Sequence, residues 1–230
     1  MNNHDNEKRT DGHSFEVQYD RDRNYWNQFY AEMEGKLDYQ SSFANFALKY
    51  LEKNKHLLDL GCGNGRDSIF FHSQGIRITA VDASDYALNR LIRKYSGQPD
   101  ISFICSDFVE SKEVYANKYD YAYSRFTLHA INEEQETVLL RNVSKSLNPN
   151  GLLLIEARTI NDDLYGLGKK VNKNAYVYND HYRRFLDPKE FEAKLYSMGF
   201  ELLYQIEDRG FSKTASSDPV LMRSISRLKT

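Results

Sequence analysis

The stretch Leu57-Leu58-Asp59-Leu60-Gly61-Cys62-Gly63-Asn64-Gly65 decides how the rest of the chain is read. Leu57 to Leu60 is too short for a helix and suits a brief buried strand. The glycines after it permit a tight turn and leave bare backbone against which a ligand can lie at the start of a helix. A G-x-G-x-x-G dinucleotide fingerprint would need glycine at position 66, where the chain has Arg66. The pattern is instead G-x-G-x-G, with an acid, Asp59, two residues ahead.

Outward from this point, strands and helices alternate. Arg66 to Ser73 reads as a helix, and Ile76 to Val81 as a strand ending at Asp82. Ser84 caps a helix to about Tyr95, Ile101 to Cys105 is a strand, and Val109 to Ala116 a short helix. Strand Tyr119 to Tyr123, helix Glu133 to Leu147, a turn at Asn148-Pro149-Asn150-Gly151 and strand Leu152 to Ala157 follow. This order gives βαβ units, hence an α/β fold with a mostly parallel sheet covered by helices on both faces. Thr159 to Phe185 is polar, has no clear period and reads as a long functional loop. Asp187-Pro188 opens a helix to Met198, with proline at its first position. Phe200 to Ile206 and Val220 to Ser226 complete seven strands.

Upstream, Tyr19 to Glu34 has helical spacing of Tyr25, Trp26, Phe29, Tyr30 and Met33, and Ser41 caps a second helix to Lys53. Residues 1–14 are nearly empty of apolar side chains and read as a disordered leader. The expected organisation is therefore that leader, an N-terminal helical lid over 15–54, and one domain over 55–230 with a substrate insertion at 159–186.

The ordered set of Asp59, Gly61, Gly63, Gly65, Asp82 and Asp107 resembles the motifs of the class I S-adenosylmethionine-dependent methyltransferases. The resemblance covers roughly residues 45–228 and implies a Rossmann-like seven-stranded sheet with one antiparallel strand, for which Val220 to Ser226 is suited. It implies S-adenosylmethionine as cofactor, with Asp82 accepting both ribose hydroxyls. Ser106-Asp107-Phe108 would lie at the adenine, and Ser124 near the methionine end. Cys62, Ala83, Tyr25 and Tyr30 join the expected cofactor-binding residues.

Length and composition narrow the alternatives. The 230 residues carry 31 basic and 33 acidic side chains, a net charge of -2, with no broad basic stripe for nucleic acid. Cys62 and Cys105, each in a βα turn, suit reduced thiols rather than a disulfide framework. No run reaches membrane-spanning length, Met1 to Ser14 lacks a signal-peptide core, and a cytoplasmic enzyme is expected. No spacing of Cys, His and carboxylates suggests a metal site.

The acceptor side should be built beyond the carboxyl ends of the strands. Three clusters fall there: Tyr123 to Ile131 with Arg125 and His129, Glu156 to Arg158, and Asn179 to Phe185 with His181, Arg183 and Arg184. With Arg209 they predict a cationic mouth, suited to bidentate recognition of an anionic phosphate or carboxylate. The alternatives are carboxylate pairing for Arg125 and Arg158, a core position for His129, and a solvated loop for Arg183-Arg184. The aromatic stripe could be a packed helix instead of a cage.

Ser124-Arg125 to His129, His181 to Arg184 and Asp218 to Arg223 are similar to a narrower group. These are methyltransferases encoded with bacterial capsule and surface-polysaccharide synthesis, some of which methylate a phosphate or phosphoramidate. Gly61 to Ser68 also resembles small tellurite-resistance methyltransferases. These resemblances imply O-methylation of an anionic, saccharide- or nucleotide-linked small molecule. The alternatives are an amine, thiol or metalloid acceptor, or a non-catalytic cofactor-binding module.

Overall fold

The computed structural model describes residues 24–33, 39–215 and 217–229. The expected leader, 1–14, and the first part of the lid lie outside the described residues.

In chain order, residues 24–32 form α1 and Ser42–Ala47 form α2, whose cap Ser41 accepts the Ala44 amide. Then come β1 (His56–Leu60), α3 (Arg66–Ser73), β2 (Arg77–Asp82), α4 (Asp85–Lys94) and β3 (Ile101–Cys105). They are followed by α5 (Lys112–Tyr115), β4 (Tyr119–Arg125), α6 (Glu133–Ser146) and β5 (Leu147–Arg158). The chain continues through β6 (Lys169–Asn172), β7 (Ala175–Tyr178) and β8 (His181–Arg184) to α7 (Pro188–Ser197), β9 (Phe200–Asp208) and β10 (Leu221–Leu228).

The main sheet has the order β3-β2-β1-β4-β5-β10-β9. Only β10 runs against its neighbours, as the sequence led one to expect. Central strands buried on both faces need continuous apolar runs, and Leu57-Leu58 and Leu153-Leu154-Ile155 supply them. One face packs on Leu139, Val143, Phe191 and Leu195 of α6 and α7. The other packs on Phe43, Phe71, Leu88 and Leu91 of α2, α3 and α4. Asn132 and Gln135 form a capping box at α6, and Asp187 caps α7 ahead of Pro188.

Registry sets where a site can form. Leu60 pairs with Val81 and with Ser124, and Ser124 pairs with Ile155, so β1, β2, β4 and β5 end along one edge. The chain leaves that edge at Gly61, Ala83, Phe126 and Thr159. In open α/β sheets ligands bind at this edge.

Three expectations need correction. The helix expected over Ser41 to Lys53 ends at Ala47, passes through a 3-10 turn at Leu48–Tyr50 and is extended by Leu51. The turn expected at Asn148 to Gly151 is absorbed into β5, with Asn150 at φ +64° beside a register shift in the β4–β5 pairing. The expected loop over Thr159 to Phe185 contains the antiparallel meander β6-β7-β8, tied to the domain by a Thr159–Leu186 bridge. Its β7–β8 turn, Asn179-Asp180, has positive φ at both residues, the conformation that suits a two-residue hairpin.

Candidate functional site

A cavity of about 780 Å³ opens at the carboxyl edge of the sheet, between the glycine turn, α1 and the meander. The turn is shaped for glycine. Gly63 lies at φ +55°, and a Cβ there would stand 2.1 Å from the Tyr30 hydroxyl. A Cβ on Gly61 would stand 2.5 Å from Thr127 Cγ2.

Acids surround this floor. Asp82 Oδ2 accepts the Gly63 amide at 2.8 Å, and Oδ1 accepts the Ser84 amide at 2.8 Å. Burial raises its pKa, while the Ser84 and Gly63 amides act in the opposite direction. Asp59, wholly enclosed, accepts the Ser68 hydroxyl at 2.5 Å, and burial pushes its pKa up to about 8. Asp107 accepts the Val109 amide at 2.7 Å, and burial raises its pKa too. Ala83, Phe108 and Cys62 complete this part of the wall. Burial, helped by Asp59, holds the Cys62 thiol far above its usual pKa, so it is a small wall residue and no thiolate.

Four expected cofactor residues stand off the wall: Gly63 lies under Tyr30, Gly65 faces Leu91 and Phe103 in the core, and Ser106 and Ser124 turn elsewhere. Ser106 uses its amide to bond the Asp82 carbonyl at 3.0 Å, and its side chain does not line the cavity. Ser124 Oγ is enclosed without a hydrogen-bond partner among the described residues. Alternation along β4 explains the exchange: Tyr123 and Arg125 face the cavity, so the residue between them faces away.

Helix α1 roofs the other half. Asn27 docks it on the turn after β2, donating to Asp85 at 2.8 Å and accepting the Ser84 hydroxyl at 2.6 Å. Tyr25 lies parallel to His181, and Trp26 meets the same ring edge-on at 5.4 Å between centroids. The aromatic stripe is thus both a packed helix and a cavity wall, with Trp26 and Phe29 added to the expected Tyr25 and Tyr30.

The expected cationic mouth is largely neutralised. Arg125 donates to Glu156 at 2.9 Å and to Ser212 at 3.0 Å, and covers the Phe126 ring at 4.4 Å. Glu156 is shared with Arg223 at 2.7 Å. Arg158 pairs with Asp162 at 2.8 Å. Both arginines still line the cavity. Arg184, expected beside Arg183, points away: it bonds the Ile131 carbonyl at 2.9 Å and pairs with Glu136. Alternation in β8 again separates neighbours. Arg209 pairs with Asp163, off the cavity wall. Arg183 lines the cavity, and its hydrogen bond is to the Tyr178 carbonyl at 3.4 Å.

His129, in a 3-10 turn at Leu128–Ala130, and His181, at the head of β8, face each other with ring centroids 6.3 Å apart. Both are buried and both line the cavity. Burial lowers the pKa of each, and nearby cations lower it further; His181 falls to about 3.

Other wall residues carried no sequence signal. Asp67 accepts the Ser41 amide and hydroxyl at 2.7 Å each and the Tyr123 hydroxyl at 2.8 Å, tying α2, α3 and β4 together. Phe126 stands at φ +56°, an outlier for a bulky residue, at the turn that carries its ring to the cavity.

A seven-stranded sheet with one reversed strand, a glycine turn and acids at or just beyond the ends of the first three strands define the class I methyltransferase architecture. Residues 26–205 match the methyltransferase domain family, and the chain belongs to that family, whose methyl donor is S-adenosylmethionine. The carboxy-S-adenosyl-L-methionine synthase of Shewanella sp. (strain ANA-3) is 25% identical over 130 residues, 54% of this chain and 52% of that protein. The chain thus spans about half the length of the curated relatives it matches first. The ubiquinone biosynthesis O-methyltransferase of Coxiella burnetii is 27% identical over 169 residues, 68% of this chain and 70% of that one. Among solved structures, the 1,6-didemethyltoxoflavin-N1-methyltransferase of Burkholderia thailandensis superposes with a TM-score of 0.68 at 17% identity. It covers 98% of this chain and 94% of its own, and holds S-adenosylhomocysteine and 1,6-didemethyltoxoflavin. Among the described residues, no helix is long and apolar enough to cross a membrane.

Proposed function

We propose that the protein transfers a methyl group from S-adenosylmethionine to a small acceptor seated between α1 and the meander. The observation that carries this is the glycine turn with Asp82 bonded to the Gly63 amide, opening directly into an aromatic-walled chamber. The residues present fit the donor. Gly61 presents bare backbone to the cavity, Asp82 stands ready for the ribose hydroxyls, and Asp107 and Phe108 for the adenine. Asp59 suits the ammonium of the methionine end. When bound, S-adenosylmethionine supplies an electrophilic methyl on a sulfonium; the protein's work is to align the acceptor with it and to exclude water.

A second, finer reading is favoured by Arg183, which lines the chamber and has no carboxylate partner among the described residues. On that reading the acceptor carries an anionic group, such as a phosphate or phosphoramidate on a surface-polysaccharide precursor. The pairing of Arg125 and Arg158 with carboxylates leaves Arg183 as the cation of the acceptor half without a carboxylate partner among the described residues and makes this the narrower case.

Calorimetry with S-adenosylhomocysteine tests the donor site, and transfer of labelled methyl to phenols, amines and phosphate monoesters tests the acceptor. The expected result is tight nucleoside binding with transfer to at least one class. A folded protein that binds no S-adenosylhomocysteine would overturn the proposal.

A further inference from the structure

We propose that His129 and His181 receive the proton of an acceptor that arrives with hydrogen still on the atom to be methylated. The acceptor class is a flat aromatic or heteroaromatic ring bearing O–H or N–H. This inference rests on the methyltransferase reading above and specifies its acceptor.

Four observations converge on it. Both imidazoles line the acceptor half of the cavity, yet His129 is only 6% and His181 only 3% exposed. Nδ1 of each is enclosed and meets no hydrogen-bond partner among the described residues. Buried polar groups ordinarily find partners, so two neighbouring imidazoles in a cavity wall, each with one nitrogen left unpartnered among the described residues, mark a place where a ligand completes the bonding. The chamber around them is flat-walled, with Trp26 6.0 Å from His129 and 5.4 Å from His181, and Phe126 5.9 Å from His129.

The electrostatics agree. The charges of Arg158, Arg183 and Arg184 act on His129, and those of Arg183 and Arg158 on His181; after burial itself, these cations keep both rings neutral at pH 7. A neutral imidazole retains a lone pair that can accept a proton; a ring held this far below its usual basicity takes it once bond formation to the methyl has made the acceptor's hydrogen acidic, not from the free acceptor. A reacting atom that was already anionic would need free positive charge beside it, and two of the three cavity-lining arginines of the acceptor half are spent on Glu156 and Asp162.

The step balances. The acceptor's oxygen or nitrogen forms the bond to the methyl carbon, and the carbon–sulfur bond breaks with its electron pair left on sulfur. The acceptor's proton passes to an imidazole nitrogen and from there to solvent when the site reopens. No oxidant or metal is required.

The test is nitrogen NMR of the full chain carrying ¹⁵N-histidine and saturated with S-adenosylhomocysteine, with His129→Gln and His181→Gln assigning the two rings. Phenol and methyl phosphate are the probes. The expected result is two neutral rings at pH 7 whose nitrogen signals move with phenol and not with methyl phosphate. Each variant should weaken phenol binding about tenfold and leave S-adenosylhomocysteine affinity within about twofold. Imidazolium signals at pH 7, rings unmoved by phenol, or rings moved by methyl phosphate alone would each overturn the inference. The wild-type spectra decide this even if a variant fails to fold. Failure to bind S-adenosylhomocysteine overturns the methyltransferase reading, and this inference with it.

Discussion

The Tyr25 ring lies on the His181 imidazole, centroids 3.9 Å apart and planes 19° from parallel, so the roof helix and the meander close on each other across the cavity. An aromatic pair of this kind contributes about 0.5–1.5 kcal/mol beyond its buried area. Tyr25→Ala should therefore loosen α1 without unfolding the sheet. Amide exchange should rise several-fold in residues 24–32 and stay unchanged in β1 and β4. Equal acceleration in both places would show that α1 is no separate unit.

Gly63 tests the close approach of Tyr30 to the turn. Alanine at φ +55° carries a left-handed penalty of about 1–2 kcal/mol, and its Cβ would also meet the Tyr30 hydroxyl. Gly63→Ala should lower stability and weaken S-adenosylhomocysteine binding at least tenfold. Adding Tyr30→Ala relieves the contact but not the backbone cost, so recovery should be partial. Full recovery of stability in the double variant would mean that the backbone conformation carries no cost.

Asp59 predicts a proton count. With a pKa raised to about 8 it is mostly protonated at pH 7 in the free protein. An ammonium brought beside it favours the carboxylate, so binding S-adenosylhomocysteine at pH 7 should release a proton. Calorimetry in buffers of different ionisation enthalpy reads that number directly. It should approach zero in Asp59→Asn, and wild-type binding without proton release would refute the pairing.

His181 makes a prediction about acid. Its folded pKa, about 3, lies below the ordinary 6.5, so protons bind the unfolded chain first. Its contribution is present above about pH 6.5 and is lost as pH falls toward 3. By pH 5 the loss reaches at most about 2 kcal/mol. Asp59 acts in the opposite direction: with a folded pKa of about 8 against 3.8, its contribution is fully present below 3.8 and lost as pH rises through 8. His181→Asn should flatten the fall in melting temperature between pH 7 and pH 5, while Asp59→Asn should not. Parallel curves for wild type and His181→Asn would contradict the shift.

How much of this was legible follows from how far apart the interacting residues lie. The capping residues Ser41, Ser84 and Asp187 act within a few residues of themselves, the glycine turn and Asp82 each mark the end of a strand, and all were readable in the sequence. The hairpin at Asn179-Asp180 is equally local, but it lacks the glycine that ordinarily marks a turn with two positive φ values, so the meander read as a loop. The neutralised arginines were not readable. Arg125 pairs in register with Glu156 on β5, and Glu156 with Arg223 on β10. Both partners are brought in by strand order, and no local pattern announces them.

Arg183 and Arg184 are adjacent in sequence and opposite in direction, one toward the cavity and one into the core, which gives the sharpest comparison. Arg184 is buried, bonds two backbone carbonyls and pairs with Glu136. Removing one partner of a buried pair costs roughly 3–5 kcal/mol. Lys194 also holds Glu136 at 2.6 Å, so the stranded carboxylate keeps one cation and the lower end applies. Arg184→Ala should therefore lose about 3 kcal/mol of stability. Arg183→Ala removes only a long bond to the Tyr178 carbonyl and should change stability by no more than about 0.5 kcal/mol. Its effect should fall on acceptor affinity, with S-adenosylhomocysteine binding unchanged. Denaturant titration of the two variants side by side is decisive: equal losses would mean that the alternation in β8 does not divide structure from function.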